Sequence, residues 1–342
     1  MTDIQLDLIW EPTMPVIKVY HHGVTAAIPP RKNNHERAKR GNVNGWSKSA
    51  TRNNTRWLRS ISPKSFPSDD EFGIAFTLTL RDCPETSEDW HVLRTNFIKR
   101  MRRMGMLRLH WVTEWQRRGV PHLHGIIFFP FSLISDSLDI DSFSALIVDH
   151  WLALTNQYRA ARNGQHLKVV TDIKGWFKYL SKHASRGADH YQRSSFGIPS
   201  GWFKTGRVWG HCGDWVIDEA IRINASSEFY FSFRRIVRKW RLSDARAALK
   251  DSPMVIFRPS GALINPHYLS AKRRISSARK ILKCNDFKRS QVRGVSEWID
   301  SENTLLISEF LISQGYEIYL SEDEESALDE CTTTQQELIT TN

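Results

Sequence analysis

The sequence lacks the features that mark several large classes of protein. It has no run of about 18 apolar residues, and its first residues carry acids where a secretion signal carries basic residues. The four cysteines are widely spaced without a C-x-x-C pair, which excludes a zinc ribbon and a dense disulfide framework. No G-x-x-x-x-G-K-S/T loop occurs, so a helicase motor is not predicted. We therefore expect a cytoplasmic protein without a membrane segment.

An excess of positive charge is the most prominent feature that the sequence does have. Its 342 residues include 48 Lys and Arg against 37 Asp and Glu, a formal charge of +11 that is typical of polyanion-binding proteins. Thirteen Trp and seventeen Phe accompany this charge. Most of these rings are expected in the core, but exposed rings can stack on unpaired bases. Charge and aromatic content together indicate a nucleic-acid partner.

Composition divides the chain into four predicted regions. Residues 1–70 include a stretch rich in Lys, Arg, Asn and Ser and are expected to form a basic, flexible arm. Residues 71–215 carry regular hydrophobic periodicity and are expected to be the main folded domain. Residues 216–320 show helical spacing with many basic residues, which predicts a mostly helical accessory region. Residues 321–342 are acidic and poor in aromatics, which predicts a disordered tail.

Within residues 71–215, the pattern predicts the order β-α-β-β-α-β. The strands are expected at 73–80, 107–115, 121–129 and 166–170, and the helices at 87–104 and 141–160. This order is that of an α+β fold, the ferredoxin-like split βαβ. Its antiparallel sheet has the third strand between the first and the second, with both helices on one face. The third strand is therefore expected in the interior of the sheet.

Two histidines on that third strand form a candidate metal site. His122 and His124 are two residues apart, so their side chains point to the same face of the strand. If QRRGV at 116–120 forms the hairpin loop, Glu114 lies opposite His122 and adds a carboxylate. His110 shares the parity of Glu114 and is an alternative ligand, but a one-residue slip of the hairpin would reverse both assignments. These ligand types suit Mn²⁺ or Mg²⁺, and zinc is also admissible.

A helix predicted over 172–185 carries a candidate nucleophile. Its apolar stripe leaves Tyr179 and Lys182 on the exposed flank, where residues three apart are neighbours. A tyrosine phenol can attack a phosphodiester and keep the energy of the broken bond in a covalent intermediate. A neighbouring Lys⁺ would stabilise the phenolate or the phosphate under attack.

Three motifs in sequence order resemble those of HUH-superfamily replication initiators. They are FTLTL at 76–80, PHLHGIIF at 121–128 and the Y-x-x-K of YLSK at 179–182. The resemblance covers about residues 72–185, and GRVWG at 206–210 is similar to a segment that follows the tyrosine helix in phage and plasmid members. It implies that residues 71–215 are an HUH endonuclease domain that initiates rolling-circle replication of a phage or plasmid in a bacterial host.

The same resemblance implies a mechanism and a set of roles. His122, His124 and Glu114 would hold the metal, Tyr179 would be the nicking nucleophile and Lys182 its electrostatic partner. The enzyme would nick and join single-stranded or hairpin origin DNA through a 5′-phosphotyrosyl link. It would leave a 3′-OH primer for the host DNA polymerase, with strand separation supplied by a host helicase or by supercoiling. Residues expected to contact the DNA are Thr77, Thr79, Arg117, Arg118, Lys178 and His183.

One position departs from the pattern of some related phage initiators, which carry a second tyrosine one turn after the first. That place is taken by His183, so a single-tyrosine enzyme is expected. The second cleavage is then assigned to a second protomer or to an activated water, and Tyr191 is a candidate for strand closure.

Other interpretations fit parts of the pattern. A single-tyrosine HUH transposase shares H-x-H and a later tyrosine, although such proteins are usually shorter. A non-catalytic module that binds single-stranded nucleic acid shares the split βαβ fold and needs no metal. A two-His-plus-Glu metallohydrolase keeps the metal but gives Tyr179 no task. Glu114 alone is equally well read as a surface acid paired with Arg117 or Arg118.

Overall fold

The computed structural model divides the chain into two compact units. The described residues are 14–29, 44–65, 70–135, 138–170, 179, 183, 186–259, 261–280, 294–298, 307 and 309–315. Residues 36–219 form the first unit, here called the central unit, and residues 1–35 with 220–342 form the second, the terminal unit. The predicted metal ligands and the predicted nucleophile all belong to the central unit.

Eleven strands and five α-helices have bounds that the structure describes. The strands are β1 (Val16–Tyr20), β2 (Gly23–Ala27), β3 (Glu71–Thr79), β4 (Arg108–Trp115), β5 (Pro121–Pro130), β6 (His166–Val170), β7 (Trp209–Gly213), β8 (Ile221–Asn224), β9 (Val255–Arg258), β10 (Gly261–Ile264) and β11 (Val295–Glu297). The helices are α1 (Lys48–Arg59), α2 (Ser87–Arg103), α3 (Ile140–Leu154), α4 (Ser227–Lys250) and α5 (Pro266–Arg279). The prediction of an α+β fold with an antiparallel sheet is therefore confirmed.

The central unit is built on a five-stranded sheet in the order β6-β3-β5-β4-β7. All neighbouring strands in it are antiparallel. β5, the third strand of the predicted set, lies between β3 and β4 as expected, so it is paired on both edges. β7 was not predicted, because GRVWG is rich in glycine and was read as a turn; it pairs with the outer edge of β4.

Alternation along the strands gives this sheet two distinct faces. Every second residue points to one face, here called the helix face, where α2 and α3 pack on it. Core residues of the helix face include Phe72, Ile74, Phe76, Leu78, Leu109, Trp111, Leu123, Ile127 and Phe129 from the strands. The opposite face, here called the site face, receives His122 and His124.

The two helices of the helix face match their predictions to different degrees. α2 starts where expected, because Thr86 caps it and exchanges hydrogen bonds with Asp89 in a capping box. α3 was predicted to reach residue 160 but ends at Leu154, after which Arg159 adopts a left-handed backbone with φ of 48°. Leu146 of α3 is 41% exposed, whereas its neighbour Ile147 is buried.

The terminal unit contains a second antiparallel sheet in the order β11-β2-β1-β8. Apolar residues of β1, β2 and β8 pack with Tyr230, Phe233 and Val237, three buried residues of α4. The prediction of a mostly helical region over 216–320 thus missed β8, β9, β10 and β11. β9 and β10 pair with each other as a local hairpin. β8 pairs with β1 and β11 pairs with β2, and these pairings could not be anticipated locally because β1 and β2 come from the other end of the chain.

The first 70 residues were expected to form a flexible arm, but their described part is folded. It contains β1, β2 and α1. α1 is capped by Ser47, whose hydroxyl accepts a hydrogen bond from the backbone N–H of Ala50. The predicted tail over 321–342 lies outside the described residues, as does most of the helix predicted over 172–185. Among the described helices, none has the length and apolar character required to cross a membrane.

Candidate active site

The β4–β5 hairpin has the predicted register. Trp115 pairs with Pro121, and Glu114 pairs with His122. The loop between the strands is closed by a 2.9 Å hydrogen bond from the Gln116 N–H to the Val120 carbonyl. With this register, Glu114 and both histidines point to the site face, as the hairpin argument requires.

Three ligand-type side chains converge on the site face. The nearest ligand atoms of Glu114, His122 and His124 all lie within 4.8 Å of one another, and all three residues are buried. The Nε2 atoms of the two histidines are 2.7 Å apart, and His124 Nε2 is 3.5 Å from a carboxylate oxygen of Glu114. Two imidazole nitrogens and one carboxylate oxygen are a donor set that Mn²⁺, Mg²⁺ or Zn²⁺ can accept. This cluster is therefore a candidate metal site.

A neighbouring strand orients one of these imidazoles. The hydroxyl of Thr77 on β3 lies 2.7 Å from His124 Nδ1. When Nδ1 carries the proton and donates it to Thr77, Nε2 keeps its lone pair toward Glu114 and His122. Support of the second ring nitrogen is the usual way in which a protein fixes the tautomer of a metal-binding histidine.

Two arginines pair with the carboxylate of Glu114. Arg193 Nε donates to Oε1 over 2.8 Å, and Arg186 pairs with Oε2. Arg193 is itself buried and stacks on Trp46, with its guanidinium carbon 4.0 Å from the ring centre. Burial lowers the pKa of Arg193, while Glu114 acts to raise it. The site thus contains two guanidinium groups against one carboxylate, which favours an additional anion such as a phosphate.

Tyr179 also lies over the site face, but it is not on an exposed flank as predicted. It is a helical residue with only 8% of its surface exposed. Its hydroxyl is 2.9 Å from Nδ1 of His110 on β4. Burial raises the pKa of Tyr179 well above its usual value, and the charge of Glu114 adds to this. The prediction of exposure was wrong because it considered the helical pattern alone, whereas Tyr179 packs against His110 on the polar face of the sheet.

His110 is not one of the clustered ligands, although it was considered as an alternative to Glu114. Nδ1 contacts the Tyr179 hydroxyl, and Nε2 is 2.9 Å from Oδ1 of Asn54 on α1. The ring also stacks on Trp57 with the centroids 5.1 Å apart. Burial lowers the pKa of His110 well below its usual value, and His211 and Arg193 add to this effect. Both ring nitrogens are therefore engaged by other groups.

The residues predicted to contact DNA lie in different environments. His183 is buried, with its ring 4.7 Å from that of Tyr179 and 5.7 Å from that of His124. Arg117 is exposed, and its guanidinium lies 5.5 Å from the ring centre of Tyr191. Lys178 and Lys182 lie outside the described residues.

The remaining predicted DNA contacts are already engaged within the protein. The guanidinium of Arg118 donates to the carbonyls of Leu80 and Arg81. The Thr79 hydroxyl donates to the carbonyl of Gly164 over 3.0 Å. Thr77, as described above, contacts His124. These side chains therefore already have partners within the protein.

Sequence reasoning missed several residues next to the site, and three of them pair directly with His110 or Glu114. These three are Asn54, Arg186 and Arg193. Asn54 lies in the segment assigned to the flexible arm, and the two arginines lie in a turn-rich stretch without periodicity. Their partners are 56 to 79 positions away in the sequence, so no local pattern marks them.

Comparison with known proteins places the chain in a family. Residues 73–188 match the family described as replication-associated protein ORF2/gene II protein. A putative replication protein of Xylella fastidiosa strain 9a5c is 41% identical over 312 residues, which cover 89% of this chain and 99% of that protein. The replication-associated gene II protein of Pseudomonas phage Pf3 is 40% identical over 309 residues, with the same coverage. The chain belongs to this family of phage and plasmid replication-associated proteins.

The family match includes the three clustered ligands, His110 and Tyr179, and it ends within the segment that carries Arg186. Asn54 and Arg193 lie outside it. As a member of the family, the chain is a replication initiator of the rolling-circle type, and DNA is its expected partner. No solved structure matches the chain.

Proposed function

We propose that this protein starts replication by nicking one strand of its origin with Tyr179. The phenol would become linked to the 5′ phosphate, and the strand end released would carry a 3′-OH that primes a host polymerase. The observation that carries this proposal is the convergence of Glu114, His122 and His124 beneath a buried tyrosine on the same face of the sheet.

The geometry supports the pairing of a metal site with this nucleophile. His110, which contacts the Tyr179 hydroxyl, lies on β4 two residues from Val112, the partner of His124 in the sheet. Diagonal neighbours of this kind are about 7–8 Å apart on a sheet face. The hydroxyl is therefore close enough to the cluster for one phosphodiester to lie between them.

Glu114, His122 and His124 are the residues that would hold a divalent cation, and Mn²⁺ or Mg²⁺ fits their mixed donors. When bound, the cation would polarise the scissile phosphate. Thr77 keeps the His124 ring in position for this task. Arg186 and Arg193 pair with the carboxylate and would attract the phosphate backbone.

Tyr179 performs the covalent step in this scheme. Its oxygen forms a bond to phosphorus, and the bond from phosphorus to the 3′ oxygen breaks. The phosphodiester energy is retained in the phosphotyrosine, so the reverse attack by a 3′-OH can rejoin the strand. By resemblance to HUH initiators, Lys182 would stabilise the charge of the phosphate, and Lys178 and Arg117 would contact the strand.

We assign the central unit to the ferredoxin-like fold of HUH nucleases. The strand order β6-β3-β5-β4 and the two helices on one face support this assignment. The terminal unit contributes basic residues on α4 and α5, which suit contact with duplex or hairpin DNA at the origin. Host helicase and polymerase would act after the nick, because the chain has no phosphate-binding loop for a motor of its own.

Adduct formation tests this proposal directly. Single-stranded oligonucleotides tiled across the replicon that encodes the protein are incubated with the full chain and Mn²⁺, then resolved on a denaturing gel. We expect one oligonucleotide to yield a protein–DNA adduct, which Tyr179→Phe abolishes and which EDTA prevents. Tyr191→Phe, which removes an exposed hydroxyl near the site, is the matched control and should retain nicking.

Two outcomes would reject the proposal. An adduct that persists in Tyr179→Phe would assign the nucleophile elsewhere. Cleavage with a free 5′ phosphate and no adduct would make the protein a metallohydrolase, and Tyr179 would then have no covalent role.

A further inference from the structure

We infer that His110, held by Asn54, accepts the phenolic proton of Tyr179 as the tyrosine attacks the phosphate. This inference rests on the proposed function, since it concerns the same nucleophile. It assigns a proton acceptor on β4 and its hydrogen-bond partner on α1 to the nicking step, in which the metal ligands do not take up the phenolic proton.

The three side chains form a continuous hydrogen-bonded chain. The Tyr179 hydroxyl lies 2.9 Å from His110 Nδ1, and His110 Nε2 lies 2.9 Å from Asn54 Oδ1. All three residues are buried, so bulk water does not compete for these hydrogen bonds. A nucleophile bonded to an imidazole that is oriented by a third polar group is the general arrangement of an activated nucleophile.

Asn54 fixes which ring nitrogen is free to accept a proton. Its Oδ1 can only accept a hydrogen bond, so Nε2 of His110 must carry the hydrogen. In the neutral ring, Nδ1 then has the lone pair, and the phenol must be the donor across the 2.9 Å contact. Burial keeps His110 in this neutral form by lowering its pKa. The ring is therefore oriented with its unprotonated Nδ1 toward the Tyr179 hydroxyl, so that it can act as a base.

The cost of burying this chain argues that it has a task beyond packing. Asn54 is completely buried on the inner side of α1, and its Nδ2 has no hydrogen-bond partner among the described residues. An unsatisfied buried amide destabilises the folded protein, and an apolar residue at this place would avoid that cost. Trp57, one turn further along the same helix, stacks on the His110 ring and restricts its rotation. α1 thus supplies both the acceptor and the clamp for one imidazole.

Bonds and protons balance in this step. The oxygen of Tyr179 forms its bond to phosphorus while its hydrogen passes to Nδ1 of His110. The bond from phosphorus to the 3′ oxygen breaks, and that oxygen takes a proton from water to leave as a 3′-OH. In the joining direction, the 3′-OH attacks phosphorus and loses its proton to water. The bond from phosphorus to the Tyr179 oxygen breaks, and the imidazolium of His110 returns its proton to the departing phenolate.

Single-turnover adduct formation by the full chain tests the inference, with the oligonucleotide identified above and Mn²⁺. We expect His110→Gln to slow the reaction about 10²–10⁴-fold, the usual contribution of a general base, without weakening oligonucleotide binding. Asn54→Leu should slow adduct formation by a smaller factor than His110→Gln does. Asn54→Asp keeps the acceptor oxygen and should restore most of the rate lost in Asn54→Leu. Asn53→Leu is the control, because Asn53 is exposed on the same helix.

A fluorinated tyrosine at position 179 separates proton transfer from packing. Fluorination makes the phenol more acidic, so it needs less help from a base. If His110 accepts the proton, trifluorotyrosine should restore at least about tenfold of the rate lost in His110→Gln and change the wild-type rate far less. An equal effect of fluorination in both backgrounds would overturn the inference.

The outcomes distinguish failure of this inference from misfolding of a variant and from failure of the proposed function. If His110→Gln does not fold, the two Asn54 variants decide: equal losses for Leu and Asp, or a loss in Asn53→Leu as large as in Asn54→Leu, overturn the inference. A folded His110→Gln that reacts at the wild-type rate does the same while leaving the role of Tyr179 intact. An adduct in Tyr179→Phe, or none in the wild type, rejects the proposed function and this inference with it.

Discussion

The helix face and the site face of the central sheet are both buried, but different side chains fill them. Beneath α2 and α3 the strands present aromatic and aliphatic residues, which gain stability by leaving water. On the other face the same strands present His110, Glu114, His122 and His124, which are all buried as well. Burial of such groups costs free energy unless each has a partner. The helix face therefore stabilises the fold, whereas burial of the polar groups on the site face destabilises it.

This contrast follows from the two-residue period of a strand. In β5, Leu123 and Ile127 point to the helix face, whereas His122 and His124 between and beside them point to the site face. Substitutions on one face can thus change stability with little effect on chemistry, and those on the other face can do the reverse. A sheet with strands paired on both sides of β5 keeps the two sets of residues in fixed register.

Truncation of a helix-face residue should give the largest change in stability. We expect Phe97→Ala to lower the free energy of unfolding by about 3–5 kcal/mol, because Phe97 is fully buried and the cavity cannot close completely. The folded fraction should still bind Mn²⁺ as the wild type does. Urea unfolding and metal titration measure the two quantities, and Val92→Ala, at an exposed position of the same helix, should change neither. A loss of metal affinity in folded Phe97→Ala would show that the faces are coupled.

A bound cation should stabilise the site face. At a Mn²⁺ concentration one hundred times the dissociation constant, the gain is about 2.7 kcal/mol, or roughly a 5–10 °C rise in Tm. His122→Asn and His124→Asn should abolish this rise, since each removes one nitrogen donor. His166→Asn, at an exposed position of β6, is the control. An unchanged Mn²⁺-dependent rise in Tm in His122→Asn would show that the metal binds elsewhere.

Much of the central sheet could be predicted because its signals are local. The pairing of Glu114 with His122 follows from one short loop, where Gly119 adopts a positive φ of 78° and the hairpin leaves a single register. The start of α2 at residue 87 was predicted, because a Ser or Thr cap and acids in the first turn mark it locally. Each of these features depends on residues only a few positions apart, so the sequence alone is sufficient.

What covers the site face could not be predicted, because its contacts are long-range. Asn54 reaches His110 from a helix that composition assigned to a flexible arm. Arg193 reaches Glu114 from a loop 79 positions away, whereas the sequence suggested Arg117 or Arg118 as partners. For the same reason the burial of Tyr179 was missed: helix periodicity predicts which side is apolar, not which polar surface lies beneath it.

Neutralising the carboxylate of Glu114 should have a smaller effect on stability than the cavity in the helix face. We expect Glu114→Gln to destabilise the protein by about 1.5–3 kcal/mol, because Arg193 is left buried without a counter-charge. Combining it with Arg193→Met should recover much of this loss, while metal binding stays impaired. Thermal unfolding of the single and double variants measures the coupling, and additive losses would mean that the two charges act independently.

Removal of the Thr77 hydroxyl should give the smallest change in stability and yet a clear change at the site. Thr77→Val keeps the shape of the side chain but deletes the 2.7 Å contact with His124 Nδ1. The imidazole can then rotate or change tautomer, so we expect Mn²⁺ affinity to fall about 10–100-fold. Thr77→Ser restores the hydroxyl and should restore affinity, whereas a loss shared by Ser and Val would point to packing by the methyl group. Because only one hydrogen bond is lost, the free energy of unfolding should change by no more than about 1 kcal/mol. An effect on Mn²⁺ affinity that is far larger than the effect on the free energy of unfolding is expected for the site face and not for the helix face.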